Sequence, residues 1–140
     1  MIAGIGVDIV DLERFDRAIT RTPKLLLRLF AESERDLPLH SLAARFAAKE
    51  AVVKALGRGD IAKAIDIEVV SDSHGNPDLA LHGSVAELAA ARGIVRWHLT
   101  MTHDAGVACA FVVAETADPL VRPDTAATTD RPDPTEGGDR

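Results

Sequence analysis

The segment Gly4-Ile5-Gly6-Val7-Asp8-Ile9-Val10 alternates two kinds of residue. Successive side chains of a strand point to opposite faces, so Ile5, Val7 and Ile9 share one face and Gly4, Gly6 and Asp8 the other. One face is branched and apolar; the other is bare and ends in an acid. Glycine weakens a strand interior, and it marks either a close approach to the backbone or a thin packing layer. Both readings stay open from the alternation alone.

The elements that follow read from local chemistry. Asp11 can N-cap a helix through Leu12, Phe15 and Ile19, whose spacing makes an apolar stripe. Leu25–Phe30 and the acidic Glu32–Asp36 predict a short helix or loop before Pro38. Ser41–Leu56 is rich in Ala, Leu, Lys, Arg and Glu and meets Gly57, so a helix with a glycine stop is expected there. Ile65–Val70 and Leu79–Leu81 read as strands around the turn-forming Asp72-Ser73-His74-Gly75-Asn76-Pro77. Ser84-x-x-Glu87 offers a capping box for a helix running to Gly93. Val95–Thr102 and Val107–Ala114 then form a hairpin through His103-Asp104-Ala105-Gly106. Strands and helices in this order predict an α+β fold with a mainly antiparallel sheet rather than repeated βαβ units.

Composition narrows the class. At 140 residues and 46% apolar content the chain can bury one core, so one domain is expected, over residues 1–116. Residues 117–140 are Pro, Thr, Asp and Gly with few large apolar side chains and read as a disordered acidic tail. Of the formal charge of −6, residues 116–140 carry −3, from six acids and three bases. The body carries the other −3. The N-terminal apolar run has no early basic residue and is broken by Asp8, so neither a signal peptide nor a membrane span is expected, and the cytoplasm is the default. The lone Cys109 has no intrachain partner and is expected as a buried thiol. Aromatics at 4% and a net-negative body argue against nucleic acid.

On the Ser41–Leu56 helix, Phe46, Glu50 and Lys54 follow at i, i+4 and i+8, and Arg45 and Lys49 make a second i, i+4 pair on a neighbouring face. A solvated Glu–Lys pair worth about 0.3–0.5 kcal/mol is the plain reading. Three cations around one acid can also form a phosphate-binding surface. Mg²⁺ takes one or two carboxylates together with water and phosphate oxygens, and Asp8 and Glu50 could supply them. His103 ends a strand run beside Asp104; His40, His74, His82 and His98 are scattered and suggest no metal cluster. Arg14, Arg17 and Arg21 share a helix face that Lys24 and Arg28 extend, either as a solvated face or as a dock for an acidic partner. No P-loop or Gly-x-Ser-x-Gly elbow is present.

Three blocks together carry a family resemblance: Gly4 to Val10, Arg45-Phe46-Ala47-Ala48-Lys49-Glu50-Ala51-Val52-Val53-Lys54-Ala55-Leu56-Gly57, and His98-Leu99-Thr100-Met101-Thr102-His103-Asp104. With Gly75-Asn76-Pro77 they resemble the bacterial holo-acyl-carrier-protein synthases, small phosphopantetheinyl transferases, over most of residues 1–115. The resemblance implies the 4′-phosphopantetheinyl transferase fold, with a mainly antiparallel sheet packed on a long central helix. It also implies a homotrimer with active sites between subunits. Asp8 and Glu50 match the Mg²⁺ ligands, while Arg45, Lys49, Lys54, Gly57 and His103 match positions at the coenzyme A site. The first helix, with its arginine stripe, matches the surface that receives acyl carrier protein. Two positions depart from the family: Thr102 stands where Ser is usual, and Gly57-Arg58-Gly59 replaces Gly-Thr-Gly, which could reshape the loop or add a phosphate contact.

The implied reaction moves 4′-phosphopantetheine from coenzyme A to a serine of the carrier, with Asp8, Glu50 and Lys54 as catalytic residues and adenosine 3′,5′-bisphosphate as the other product. The carrier could belong to a fatty-acid, polyketide or fused synthase. A metal-dependent hydrolase of pyrophosphates, or a carrier-binding module without chemistry, would use the same charges.

Overall fold

Asp11 ends one element and begins the next. In a computed structural model that describes residues 1–117, strand β1 (Ile2–Asp11) passes directly into helix α1 (Leu12–Arg21). The Asp11 carboxylate accepts a hydrogen bond from the Arg14 N–H at 2.7 Å, as an N-cap does. Helix α2 (Lys24–Leu29), a 3₁₀ turn over Glu32–Glu34 and helix α3 (Leu39–Leu56) follow. Then come β2 (Ile67–Ser71), β3 (Pro77–Leu81), helix α4 (Gly83–Ala91), β4 (Ile94–Asp104) and β5 (Val107–Thr116). The expected tail lies outside the described residues from 118 onward. No helix among the described residues is long and apolar enough to cross a membrane.

The chain is α+β and both its sheets are antiparallel: β1-β5-β4 and the hairpin β2-β3. Ala105 and Gly106, with φ of 49° and 78°, make the two-residue turn between β4 and β5. Positive φ at both positions matches the twist of the strands they join. His103 and Asp104 belong to β4 itself rather than to this turn.

The two faces of β1 meet opposite fates. Gly4, Gly6, Asp8 and Val10 pair with Ala114, Val112, Ala110 and Ala108, and these four residues of β5 are all buried. Helix α3 lies against this face. A Cβ on Gly4 would sit 2.2 Å from the Ala55 carbonyl oxygen, and one on Gly6 only 1.8 Å from that of Ala51. The bare face therefore serves a close approach, and what approaches is helix backbone. Small residues on both sides, including Ala47, Ala48, Ala51 and Ala55 of α3, set strand and helix close together. Arg92 fastens one end of this junction, donating to the carbonyls of Leu56 at 2.6 Å and Ala3 at 3.3 Å.

The other face is open. Ile5, Val7 and Ile9 are 56%, 52% and 64% exposed, and Phe111, opposite Val7, is 43% exposed. Cys109, opposite Ile9, is half-buried on this outer face, which corrects the expectation of a thiol sealed in the core. The capping box expected at Ser84 does not form. His82 occupies the N-cap without a side-chain bond, and Ser84 Oγ donates instead to Asp66 Oδ2 at 3.2 Å.

Candidate active site

Because α3 runs under β1, residues one turn apart on the helix arrive beside the acid of the strand. Lys54 Nζ donates to Asp8 Oδ1 at 2.9 Å and to the Val7 carbonyl at 2.8 Å. Glu50, one turn earlier, is half-buried. Burial first, and then the charge of Asp8, push its carboxyl above the usual range, with Lys54 offsetting part of the effect. Asp8 and Glu50 line one groove of about 550 Å³ with Phe15, Phe46 and Arg14. Phe15 stacks on Phe46 with ring centroids 5.6 Å apart, giving the groove an apolar wall. Arg14 brings the basic stripe to the edge of the carboxylate pair.

This donor set fits a divalent cation such as Mg²⁺. Asp8 and Glu50 present hard carboxylate oxygens to shared space, and a divalent cation held by them would offset the burial and the like charge of Asp8 that raise Glu50. Among the described residues no group of three or more His, Cys, Asp or Glu is arranged to hold a metal. A two-carboxylate site completed by water and phosphate suits Mg²⁺, which keeps much of its hydration.

Lys49 departs most from expectation. It is fully buried. Its Nζ donates to Glu34 Oε2 at 2.8 Å and to the carbonyls of Ala64 and Ile67, and it lies 5.1 Å from the Phe30 ring centroid. Desolvation lowers its pKa, with Glu34 opposing that shift. The expected placement of Lys49 at the coenzyme A site is therefore withdrawn: it is a structural cation that ties α3 to the 3₁₀ turn and to β2. Glu34 was missed in the sequence because its partner lies fifteen positions away, where no periodicity connects them.

The remaining candidates fall into separate places. Arg45 keeps 15% of its side-chain surface and has its Nε buried 4.0 Å from Glu34 Oε1. His103 packs on His40 with ring centroids 4.7 Å apart, a pairing that nothing in their spacing announced. Neither Arg45 nor His103 lines the groove that holds Asp8 and Glu50. Gly57 caps α3 at φ +64°, its N–H reaching the Val53 carbonyl at 3.0 Å. Arg58 forms a two-point pair with Asp60 at 2.9 and 3.0 Å, so the substituted loop neutralises its own added charge. Arg14, Arg17, Arg21, Lys24 and Arg28 are all exposed, and Arg17 meets Glu13 at 3.4 Å in a solvated pair of little energetic weight.

Two carboxylates and a lysine gathered where an Ala-rich helix crosses an antiparallel strand, with a basic helix opening on the same groove, suit the binding of a cation and a phosphate ester. Residues 4–112 match the family model of the 4′-phosphopantetheinyl transferase superfamily. A holo-[acyl-carrier-protein] synthase of Clavibacter sepedonicus is 60% identical over 115 residues, covering 82% of this chain and 97% of that protein. The crystal structure of the Neisseria meningitidis holo-[acyl-carrier-protein] synthase superposes with a TM-score of 0.76 at 34% identity, covering 83% of this chain and all of that one. The Helicobacter pylori synthase in complex with coenzyme A gives 0.71 at 32% identity, covering 79% and 99% of the two chains. The chain belongs to the 4′-phosphopantetheinyl transferase superfamily, within its holo-[acyl-carrier-protein] synthase family.

Proposed function

We propose that this chain is a Mg²⁺-dependent holo-[acyl-carrier-protein] synthase, which transfers 4′-phosphopantetheine from coenzyme A to a serine of apo-acyl carrier protein. The observation that carries the reading is the meeting of Asp8, Glu50 and Arg14 in one groove, with Lys54 bonded to Asp8. The serine oxygen bonds to the β-phosphorus, the bridging P–O bond breaks, and adenosine 3′,5′-bisphosphate leaves. The serine proton passes to a base in the groove. Such chemistry depends on positioning and charge neutralisation more than on covalent help.

Asp8 and Glu50 hold the Mg²⁺. When bound, the ion neutralises charge on the pyrophosphate oxygens. Lys54, fixed at Asp8, offsets charge that grows on the departing bisphosphate. Arg45 and His103 anchor phosphates of coenzyme A, and Gly57 ends α3 in the turn that leads into the Arg58 loop.

The homotrimer is part of the same proposal. Large exposed apolar patches mark association surfaces, and Ile5, Val7, Ile9 and Phe111 form one on the outer sheet face. Arg45 and His103 stand apart from the Asp8–Glu50 groove within one chain. A neighbouring copy supplies the missing half, so that each site lies between subunits around the long helix α3. A single free cysteine suits the reducing cytoplasm, where we place the reaction.

Intact-mass spectrometry of apo-carrier incubated with the protein, coenzyme A and Mg²⁺ tests the proposal. The carrier gains one phosphopantetheine, and EDTA abolishes the gain. Cleavage of coenzyme A without modification of any carrier would point to a hydrolase instead. A companion experiment tests the dock. Reversing Arg14, Arg17 and Arg21 to Glu raises the carrier KM by about tenfold or more, the weight of some 1.4 kcal/mol of lost binding, and leaves the coenzyme A KM within about twofold. An unchanged carrier KM removes the stripe from the docking surface.

A further inference from the structure

Glu34 is 1% exposed and takes no part in the chemistry above, yet helix α3, strand β2 and the start of its own 3₁₀ turn all reach it. Oε2 accepts from Lys49 Nζ at 2.8 Å and from the Ala31 N–H at 2.9 Å. Oε1 accepts from the Val69 N–H at 3.1 Å and faces Arg45 Nε at 4.0 Å. That Nε is buried and makes no hydrogen bond among the described residues. A buried donor left unpaired is destabilising, so its place beside a carboxylate calls for an explanation.

A guanidinium is a planar fork of five N–H donors, and one held along its Nε edge offers the others in a fixed direction. We propose that Glu34 is the positioning residue for Arg45, holding the Nε edge so that the remaining N–H groups face a phosphate of coenzyme A. Lys49 serves this arrangement from behind. A carboxylate buried as deeply as Glu34 needs a counter-charge, and an ammonium on Oε2 provides it while leaving Oε1 turned toward Arg45. Lys49 thus acts on phosphate recognition at two removes. The inference rests on the reading of Arg45 as a coenzyme A ligand.

Removing Glu34 alone would strand a buried ammonium and strongly destabilise the protein. The test therefore removes both charges. Replacement of a buried ion pair by groups of similar volume is often close to neutral in stability, so Glu34→Gln combined with Lys49→Met is expected to fold with a Tm within a few degrees of the parent. Calorimetric titration with coenzyme A is then expected to show a Kd raised about tenfold. The coenzyme A KM rises in parallel, and the carrier KM stays within about twofold, a split that general loosening would not produce. Glu34→Asp, which keeps the charge balance and withdraws the carboxylate by one methylene, moves the Kd the same way by about threefold.

Arg45→Ala separates the two readings. If it leaves the coenzyme A Kd unchanged, the assignment of Arg45 to coenzyme A fails. If it weakens binding while both Glu34 variants bind as the parent does, Arg45 stands and the positioning role of Glu34 is overturned. Support requires non-additivity: Arg45→Ala placed in the Glu34→Gln/Lys49→Met background costs much less than it does alone, because residues that act through one another do not sum.

Discussion

Asp8→Ala lowers phosphopantetheine transfer by at least about 10²–10³-fold while the protein stays folded. A metal-held phosphoryl oxygen is worth several kcal/mol of transition-state stabilisation, and each 1.4 kcal/mol lost is a factor of about ten in rate. Asp8 has two tasks in the groove: it is half of the carboxylate pair and the acceptor that fixes the Lys54 ammonium at 2.9 Å. Its contribution to stability is small by comparison. The Lys54 side chain keeps 54% of its surface in water, and exposed pairs of this kind are worth about 0–1 kcal/mol. Removing Asp8 also takes a like charge away from Glu50, whose carboxyl falls back toward its ordinary range. Single-turnover transfer across a Mg²⁺ titration, beside a thermal melt, checks the prediction. Glu50→Gln is expected to behave alike. A variant of either kind with transfer within about threefold of the parent would remove the metal assignment.

Gly6→Ala is expected to be the most damaging methyl group that can be added to β1. The new Cβ would lie 1.8 Å from the Ala51 carbonyl oxygen and 2.7 Å from its carbon. Both are helix backbone. A flexible side chain could swing aside, but here the whole strand or the whole helix must retreat. Overpacking a core costs about 1–3 kcal/mol and occasionally more, and an overlap between two backbones belongs at or above the top of that range. With about 3–6 °C per kcal/mol, between the values for smaller and larger domains, the melting temperature falls by about 10–20 °C. Transfer falls as well, because the displacement separates Asp8 on the strand from Glu50 and Lys54 on the helix. Gly57→Ala is the control. Nothing lies within 4 Å of its added Cβ, and only the φ of +64° resists it, at about 1 kcal/mol. A Gly6→Ala melt no lower than that of Gly57→Ala would mean that strand and helix are not in backbone contact.

These two glycines show what kind of information the sequence holds. Gly57 was legible as a helix stop because the reason is local: the last turn of α3 needs a left-handed residue to close it. Asp11 as a cap and the turn before Val107 were legible for the same reason, since their geometry is settled within a few residues. The alternation of β1 likewise determined that it has two unlike faces. It did not determine which face is covered. Hydrophobic residues alone would point to Ile5, Val7 and Ile9 as the inward side, yet the glycines face α3 and the isoleucines face out. Only the packing of an Ala-rich helix could decide this, because a backbone can come that close only where side chains are missing.

Lys49 makes the same point for the site. On the helix it stands beside Arg45 and Glu50, and its type and spacing suit a phosphate surface. Ten of the eighteen residues of α3 are buried, so the helix has little solvated face on which a lysine could lie. Whether a lysine there meets solvent, phosphate or a buried carboxylate depends on what the chain lays across it. That is Glu34, carried in by a 3₁₀ turn whose position follows from no repeat in the sequence. By itself the sequence determined the family, through the resemblance of its motif blocks, and named the residues proposed for the site. The tertiary structure decided that Asp8 and Glu50 meet in one groove with Lys54 bonded to Asp8, that Lys49 supports the fold from within, and that Arg45 stands beside a buried carboxylate. Contacts between residues far apart in the chain depend on how close two backbones can come, and no local pattern contains that distance.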